Sequence, residues 1–239
     1  MNMHRLVSAL MFAALASSSH AATITLNFEG VQPYPSANST LIQEFYNGGT
    51  ASNGASGANV GVSFSDGATV LCLNTFGTRC SNTSKGGLGV PGSEFAALYF
   101  PQVNPTMNVA AGFDTGFAFA YANPFATVQT VNIYSGLDGT GTLLASAALS
   151  GTTNGALGAC SAFGSANYCP FANLSIAFAG TARSVQFAGA VDSSVFDDFT
   201  FGSTFVGGTE VPEPGSLALL SVGMLGLARL RRSKKAGRA

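Results

Sequence analysis

The chain has 239 residues and a formal net charge of −1, with 9% charged and 46% hydrophobic residues. So few charges leave no basic face for a nucleic acid, and that partner class is excluded. The two histidines, His4 and His20, lie near the start, so the rest of the chain has no imidazole for Ser-His-Asp or Cys-His catalysis or for most transition-metal sites.

Met1 to Ala21 reads as a secretory signal peptide. His4 and Arg5 supply the positive end, Leu6 to Ala16 the apolar core, and Ser19-His20-Ala21 a small-x-small cleavage site. The predicted body, 22–210, is about 190 residues, a usual size for one domain. Its bases are Arg79, Lys85 and Arg183, and its acids Glu29, Glu44, Asp66, Glu94, Asp114, Asp138, Asp192, Asp197, Asp198 and Glu210. Three bases against ten acids leave the body at −7.

Thr23 to Phe28 alternates polar and apolar residues and predicts a first strand, ended by Pro33 and Pro35. Leu41 to Tyr46 is either a strand or a short helical turn, and a Gly/Ser/Asn loop follows to Gly61. Val60 to Ser65, Ala68 to Leu73 and Phe95 to Phe100 read as strands. Met107 to Phe113, Gly116 to Tyr121 and Thr127 to Tyr134 follow at the spacing of an antiparallel meander. Thr142 to Leu149, Asn173 to Phe178, Ser184 to Ala188 and Phe196 to Phe201 complete the set. Short strands, turn signals and no helical repeat predict an all-β sandwich of antiparallel strands, with the excess of Phe filling the space between two facing sheets.

Four cysteines permit three connectivities. Each local pair sits in a loop-like segment, which favours Cys72–Cys80 and Cys160–Cys169, formed outside the reducing cytosol. Such short loops gain roughly 2 to 3 kcal/mol each. Zinc is disfavoured, because neither spacing is Cys-x-x-Cys and the body has no histidine.

The chain ends in three parts. Val211-Pro212-Glu213-Pro214-Gly215-Ser216 stays extended, because proline fixes φ and lacks a donor. Leu217 to Leu230 is an apolar run, short of the roughly 20 residues of a full span unless counted from Pro214 with Arg229 and Arg231 snorkelling. Arg231, Arg232, Lys234 and Lys235 form a basic end that stays cytoplasmic by the positive-inside rule.

This three-part tail, 211–235, resembles the PEP-CTERM sorting signal of Gram-negative bacteria. The resemblance implies an exported protein, tethered to the inner membrane by its C-terminal hydrophobic helix until an exosortase cuts near Pro-Glu-Pro. It also implies a setting of exopolysaccharide and biofilm, and a final place in the envelope, on the outer surface or in the medium. Three further pieces resemble jelly-roll bodies of such proteins, which are similar to galactose-binding-like carbohydrate-binding modules. They are Asn27-Phe28-Glu29-Gly30, Tyr46-Asn47-Gly48-Gly49 before Gly61-Val62-Ser63-Phe64-Ser65, and Val195-Phe196-Asp197-Asp198-Phe199-Thr200-Phe201. The expected fold is therefore a jelly-roll-like β-sandwich.

Carboxylates are the remaining chemistry. A glycosidase needs two, about 5 to 10 Å apart. Glu29, Glu44 and Glu94 could be recruited, but their spacing selects no pair, and Glu44 and Glu94 read as solvated loop acids. In an extended segment Phe196, Asp198 and Thr200 share one face, and Asp197, Phe199 and Phe201 the other. If the first and last strands are neighbours, Asn27 and Glu29 join Asp197 and Asp198 in a hard oxygen cluster suited to a structural Ca²⁺. The jelly-roll resemblance implies calcium between the terminal strands too; otherwise these acids cap strand ends in solvent. For a sugar, the candidates in or beside loops are Tyr34, Tyr46, Tyr121, Asn123 and Tyr168, which otherwise pack their loops; Trp, the best stacking platform, is absent.

The sequence thus reads as an exported, non-enzymatic envelope or matrix protein with a structural or adhesive role and weak glycan binding. The alternative is a carbohydrate-active hydrolase working through two carboxylates.

Overall fold

A computed structural model describes residues 23–33, 36, 38–73, 80, 95–102, 105–152 and 171–207. Within them, apolar side chains at every second position build two antiparallel sheets. The strands are β1 (Ile24–Leu26), β2 (Thr40–Leu41), β3 (Val62–Phe64), β4 (Thr69–Cys72), β5 (Ala96–Tyr99) and β6 (Thr106–Phe113). They continue as β7 (Gly116–Ala122), β8 (Gln129–Tyr134), β9 (Leu143–Leu149), β10 (Ala172–Ala177), β11 (Ala182–Ala188) and β12 (Val195–Phe201). A 3-10 turn, Phe45–Asn47, lies between β2 and β3. One sheet runs β10-β7-β12-β5-β4-β2, with β1 also paired to β12, and the other runs β3-β6-β11-β8-β9. Residues Ala21–Thr209 form one compact unit.

The connectivity corrects one expectation. Residues 107 to 134 do not form a meander: β6 and β8 lie in the five-stranded sheet and β7 in the other. The tight Asp114–Thr115 link, with Thr115 at φ 68°, arches from sheet to sheet. Phe113 and Phe117 on either side of it both point into the space between the sheets, ring centroids 6.2 Å apart. From β5 onward only β8 and β9 are successive strands of one sheet. This crossing back and forth makes the sandwich jelly-roll-like.

The core is aromatic, as the Phe excess predicts. Phe28, Phe100, Phe117, Phe119, Phe187, Phe196, Phe199 and Phe201 are all essentially inaccessible. Phe187 of one sheet stacks on Phe199 of the other, centroids 5.2 Å apart and planes 8° from parallel. Burial of each such ring contributes roughly 1.5–3 kcal/mol, and well-placed aromatic pairs add to it. β7 shows the logic plainly: Phe117, Phe119 and Tyr121 fill the interior, and Ala118, Ala120 and Ala122 alternate with them. The alanines are buried as well. Ala120 and Ala122 join Leu73, Ala97, Phe171 and Val195 in a second, smaller cluster on the other face of the sheet.

Cys72, at the end of β4, is disulfide-bonded to Cys80. Cys160 and Cys169, the predicted signal peptide and the predicted C-terminal tail all lie outside the described residues. Among the described residues no helix is long and apolar enough to cross a membrane.

Phe187→Ala is expected to cost about 3–5 kcal/mol, because a cavity opens where two sheets interdigitate. Leu137→Ala, at a site 40% exposed, is expected to stay within about 0.5 kcal/mol. Urea unfolding of both variants checks the contrast.

Candidate functional site

The first site grows out of an unusual strand edge. β12 pairs with β7 along one side, but on the other side two strands share it. Val195 and Phe196 pair with Tyr99 and Leu98 of β5. Phe199, Thr200 and Phe201 pair with Leu26, Thr25 and Ile24 of β1. Asp197 and Asp198 fall where one partner gives way to the other. The first and last strands are therefore neighbours.

A β-bulge marks the same spot. Asp197 is opposite Ala120 and Thr200 opposite Ala118, so β12 carries one extra residue. Asp198 takes φ 53°, and Phe28, just beyond β1, takes φ 60°. Left-handed conformations at two non-glycine residues cost of order 1–3 kcal/mol each and persist only where the surroundings impose them. The bulge also overturns the predicted faces. Phe199 does not lie opposite Phe196; both rings enter the same core, at 6.1 Å. Asp197 and Asp198 have no exposed surface at all, so they are not solvated caps.

Hydrogen bonds close the junction. Glu29 Oε1 accepts from the main-chain N–H of Phe95 (2.7 Å) and Ala96 (3.2 Å), linking the end of β1 to the start of β5. Asn27 Oδ1 accepts from the Glu29 N–H, and Asp197 Oδ1 from the Asp198 N–H at 2.7 Å. Tyr46 packs edge-on against Phe28 and accepts the Phe28 N–H at its hydroxyl oxygen, 3.2 Å away. Burial pushes the Tyr46 phenol far above its ordinary range. The carboxylates of Asp197 and Glu29 push it further up, against the lowering effect of the Phe28 hydrogen bond.

Asp197 and Asp198 are buried where β12 changes partner, while Asn27 and Glu29, half-buried just beyond β1, bind main-chain N–H groups of Glu29, Phe95 and Ala96. Among the described residues no three His, Cys, Asp or Glu form a group able to hold a metal. A hard cation here would need amide and main-chain oxygens beside the carboxylates.

The predicted sugar-facing residues are placed differently. Tyr46 and Tyr121 are core side chains, 8% and 4% exposed, and Asn123 is fully buried. Burial also raises the Tyr121 phenol, against a main-chain hydrogen bond from Ser150. Asn123 is the spine of its loop: Nδ2 donates to Thr127 O, and Oδ1 accepts from Thr127 N, Thr127 Oγ1 and Gln129 Nε2. None of the three offers a face to a ligand, because each is spent on packing or on main-chain groups. Tyr34 and Tyr168 lie outside the described residues, as do Glu94 and the sorting-motif residues Val211, Pro212, Glu213 and Pro214.

A second site was not legible as such. A groove of about 660 Å³ opens between the segment after β2 and the β3–β4 turn. Leu41 and Phe64 supply apolar surface, and Gln43, Glu44, Thr50, Ser65 and Asp66 polar groups. The Ile42 N–H donates to Ala68 O at 2.9 Å and ties the two walls. Gly49 is required, because a Cβ there would stand 2.5 Å from Glu44 Cβ. Glu44 Oε2 accepts from Asn47 Nδ2 at 2.9 Å. Glu44, read from sequence as a loop acid, shares this groove with Asp66. The available signal was the Asp66-Gly67 turn opposite the Gly48-Gly49 loop.

Residues 210–232 match the PEP-CTERM protein-sorting motif. The motif marks an exported protein whose precursor carries a C-terminal membrane anchor. No curated protein matches the chain. Among solved structures, it is similar to a family 6 carbohydrate-binding module from Clostridium stercorarium in complex with cellobiose, at 17% identity. That match covers 48% of this chain and 78% of that one, with a TM-score of 0.31. The K2 cleaved adhesin domain of Lys-gingipain matches at 16% identity over 75% of this chain and 97% of that one, TM-score 0.39. The catalytic domain of a GH87 α-1,3-glucanase in complex with nigerose matches at 17% over 65% and 30%, TM-score 0.35.

The Tyr46 environment gives a pH prediction. The unfolded chain ionises its tyrosines near pH 10, whereas folded Tyr46 stays neutral well beyond that. This contribution is full below about pH 10 and is lost as pH rises through the folded value. Tyr46→Phe is expected to flatten the alkaline loss of stability and to cost about 1–3 kcal/mol at neutral pH, by stranding the Phe28 N–H. A tyrosinate absorbance titration in which every tyrosine of the native protein ionises together would contradict this.

Proposed function

We propose that the body is a non-catalytic, exported module with an adhesive or structural role, which holds a neutral glycan chain in the groove beside β3. The groove carries the reading. Its volume suits an oligosaccharide segment, and it pairs apolar surface from Leu41 and Phe64 with carboxylate, amide and hydroxyl groups. Sugar rings offer C–H faces to the first and hydroxyls to the second. The match to the sorting motif supports an exposed setting, with an exosortase as processing partner and matrix exopolysaccharide as ligand. An open groove whose one phenylalanine, Phe64, also packs against Phe28, Tyr46 and Phe199 implies weak binding, with Kd of about 1 mM, or ~4 kcal/mol.

Glu44 and Asp66 in one groove favour one other reading, hydrolysis by a carboxylate pair. A glycan array followed by calorimetry and a turnover assay separates the two. Binding without turnover, weakened about tenfold by Leu41→Ala or Asp66→Asn and unchanged by Tyr121→Phe, is the expected result. Turnover abolished by Glu44→Gln would make the protein an enzyme. Neither binding nor turnover would leave the structural role alone.

We further propose a structural Ca²⁺ at the β1–β5–β12 junction. Support comes from two adjacent buried carboxylates at a strained bulge, on the strand that pairs with β1, whose chain continues into Asn27 and Glu29. Removing calcium with EDTA should lower the Tm and added Ca²⁺ restore it, and Asp198→Asn should abolish that response. An unchanged Tm would sink the calcium reading without touching the groove.

A further inference from the structure

We infer that the flank formed by β9 and β10 is a self-association surface, on which a second copy of this chain pairs edge to edge in both sheets. β9 ends the five-stranded sheet and β10 the seven-stranded one, and the two lie against each other on the same flank. Among the described residues no strand pairs with the outer edge of either. Native proteins usually guard such edges with charge or proline. Here β9 reads Leu-Leu-Ala-Ser-Ala-Ala-Leu and β10 Ala-Asn-Leu-Ser-Ile-Ala, with neither. The single irregularity, a bulge opposite Ile133–Tyr134, leaves Ala145 to Leu149 regular.

Among the described residues the core is only partly covered at this flank. Leu144, Ala145, Ala147, Ala172 and Leu174 pack against it but remain only partly buried. The side chains turned outward are neutral: Leu143, Ser146 and Ala148 on β9 and Asn173, Ser175 and Ala177 on β10, all small but Leu143, which is 50% exposed. Mostly small outward groups let two sheets continue into one another without a clash, and exposed Leu143 with half-covered Leu144 and Leu174 supplies the apolar area. A second copy fits for a reason of symmetry. One two-fold axis perpendicular to the sheets makes β9 antiparallel to its own copy and β10 antiparallel to its own copy together. Both ladders then form at once, and the uncharged edges meet without repulsion.

The test places a charge on each edge in the full chain. Wild-type protein is expected to sediment as a dimer that dissociates on dilution. The double variant Ser146→Lys with Ser175→Lys should weaken the dimer by at least about tenfold, since edge lysines oppose strand pairing, with circular dichroism unchanged. Hydrogen exchange on the wild type adds a check that needs no variant: amides of β9 and β10 should exchange more slowly as concentration rises. A monomer at every concentration, a dimer indifferent to both lysines, or edge amides equally protected in the dilute monomer would each overturn the proposal. The last result would mean that the chain covers the flank itself.

Discussion

β12 is buried on both faces and paired on both edges, yet it carries two adjacent carboxylates. In a low-dielectric interior such groups must be hydrogen-bonded or neutralised. The chain accommodates them where β5 hands over to β1, the one stretch of that edge where no strand is in register. The bulge at Asp198 keeps Phe196, Phe199 and Phe201 all in the core, and Glu29 bridges the two strand ends. Without the extra residue, either a phenylalanine or a carboxylate would turn to the wrong face. The aromatic core and the acidic junction thus depend on the same local departure from strand geometry.

Period-two patterning made most strands legible, from Thr106–Phe113 to Val195–Phe201, because one face of each strand is apolar and large. It could not tell an arch from a hairpin. Asp114–Thr115 is as short as a hairpin turn, and only the inward direction of Phe113 and Phe117 reveals the crossing. Nor could it foresee the bulge, since Phe-Asp-Asp-Phe reads as simple alternation until one residue is taken out of register. The adjacency of the terminal strands was legible in the sequence, and β1 does pair with β12. Tyr46 was misread because a tyrosine beside Asn-Gly-Gly looks like a loop residue. In the fold its ring closes the sandwich over Phe28, and its hydroxyl serves the main chain. The groove was missed because its walls are far apart in sequence and none of its residues is distinctive alone.

The two flanks of the sandwich are unlike. At one, β2 and β3 are short, and the segment between them, with its 3-10 turn, forms a wall of the groove. At the other, β9 and β10 are longer, uncharged and bare among the described residues. Strand order puts these flanks at opposite ends of both sheets. Pairing across β9 and β10 would therefore leave each groove at an outer end of the doubled sheet. If the groove holds glycan as proposed, two such weak sites in one dimer would act through effective concentration, each contact too weak to hold a polysaccharide alone becoming half of a durable crosslink. On that proposal a modest groove would be enough: retention in a matrix would come from valency, set by the same uncharged edges that a monomer would be expected to guard.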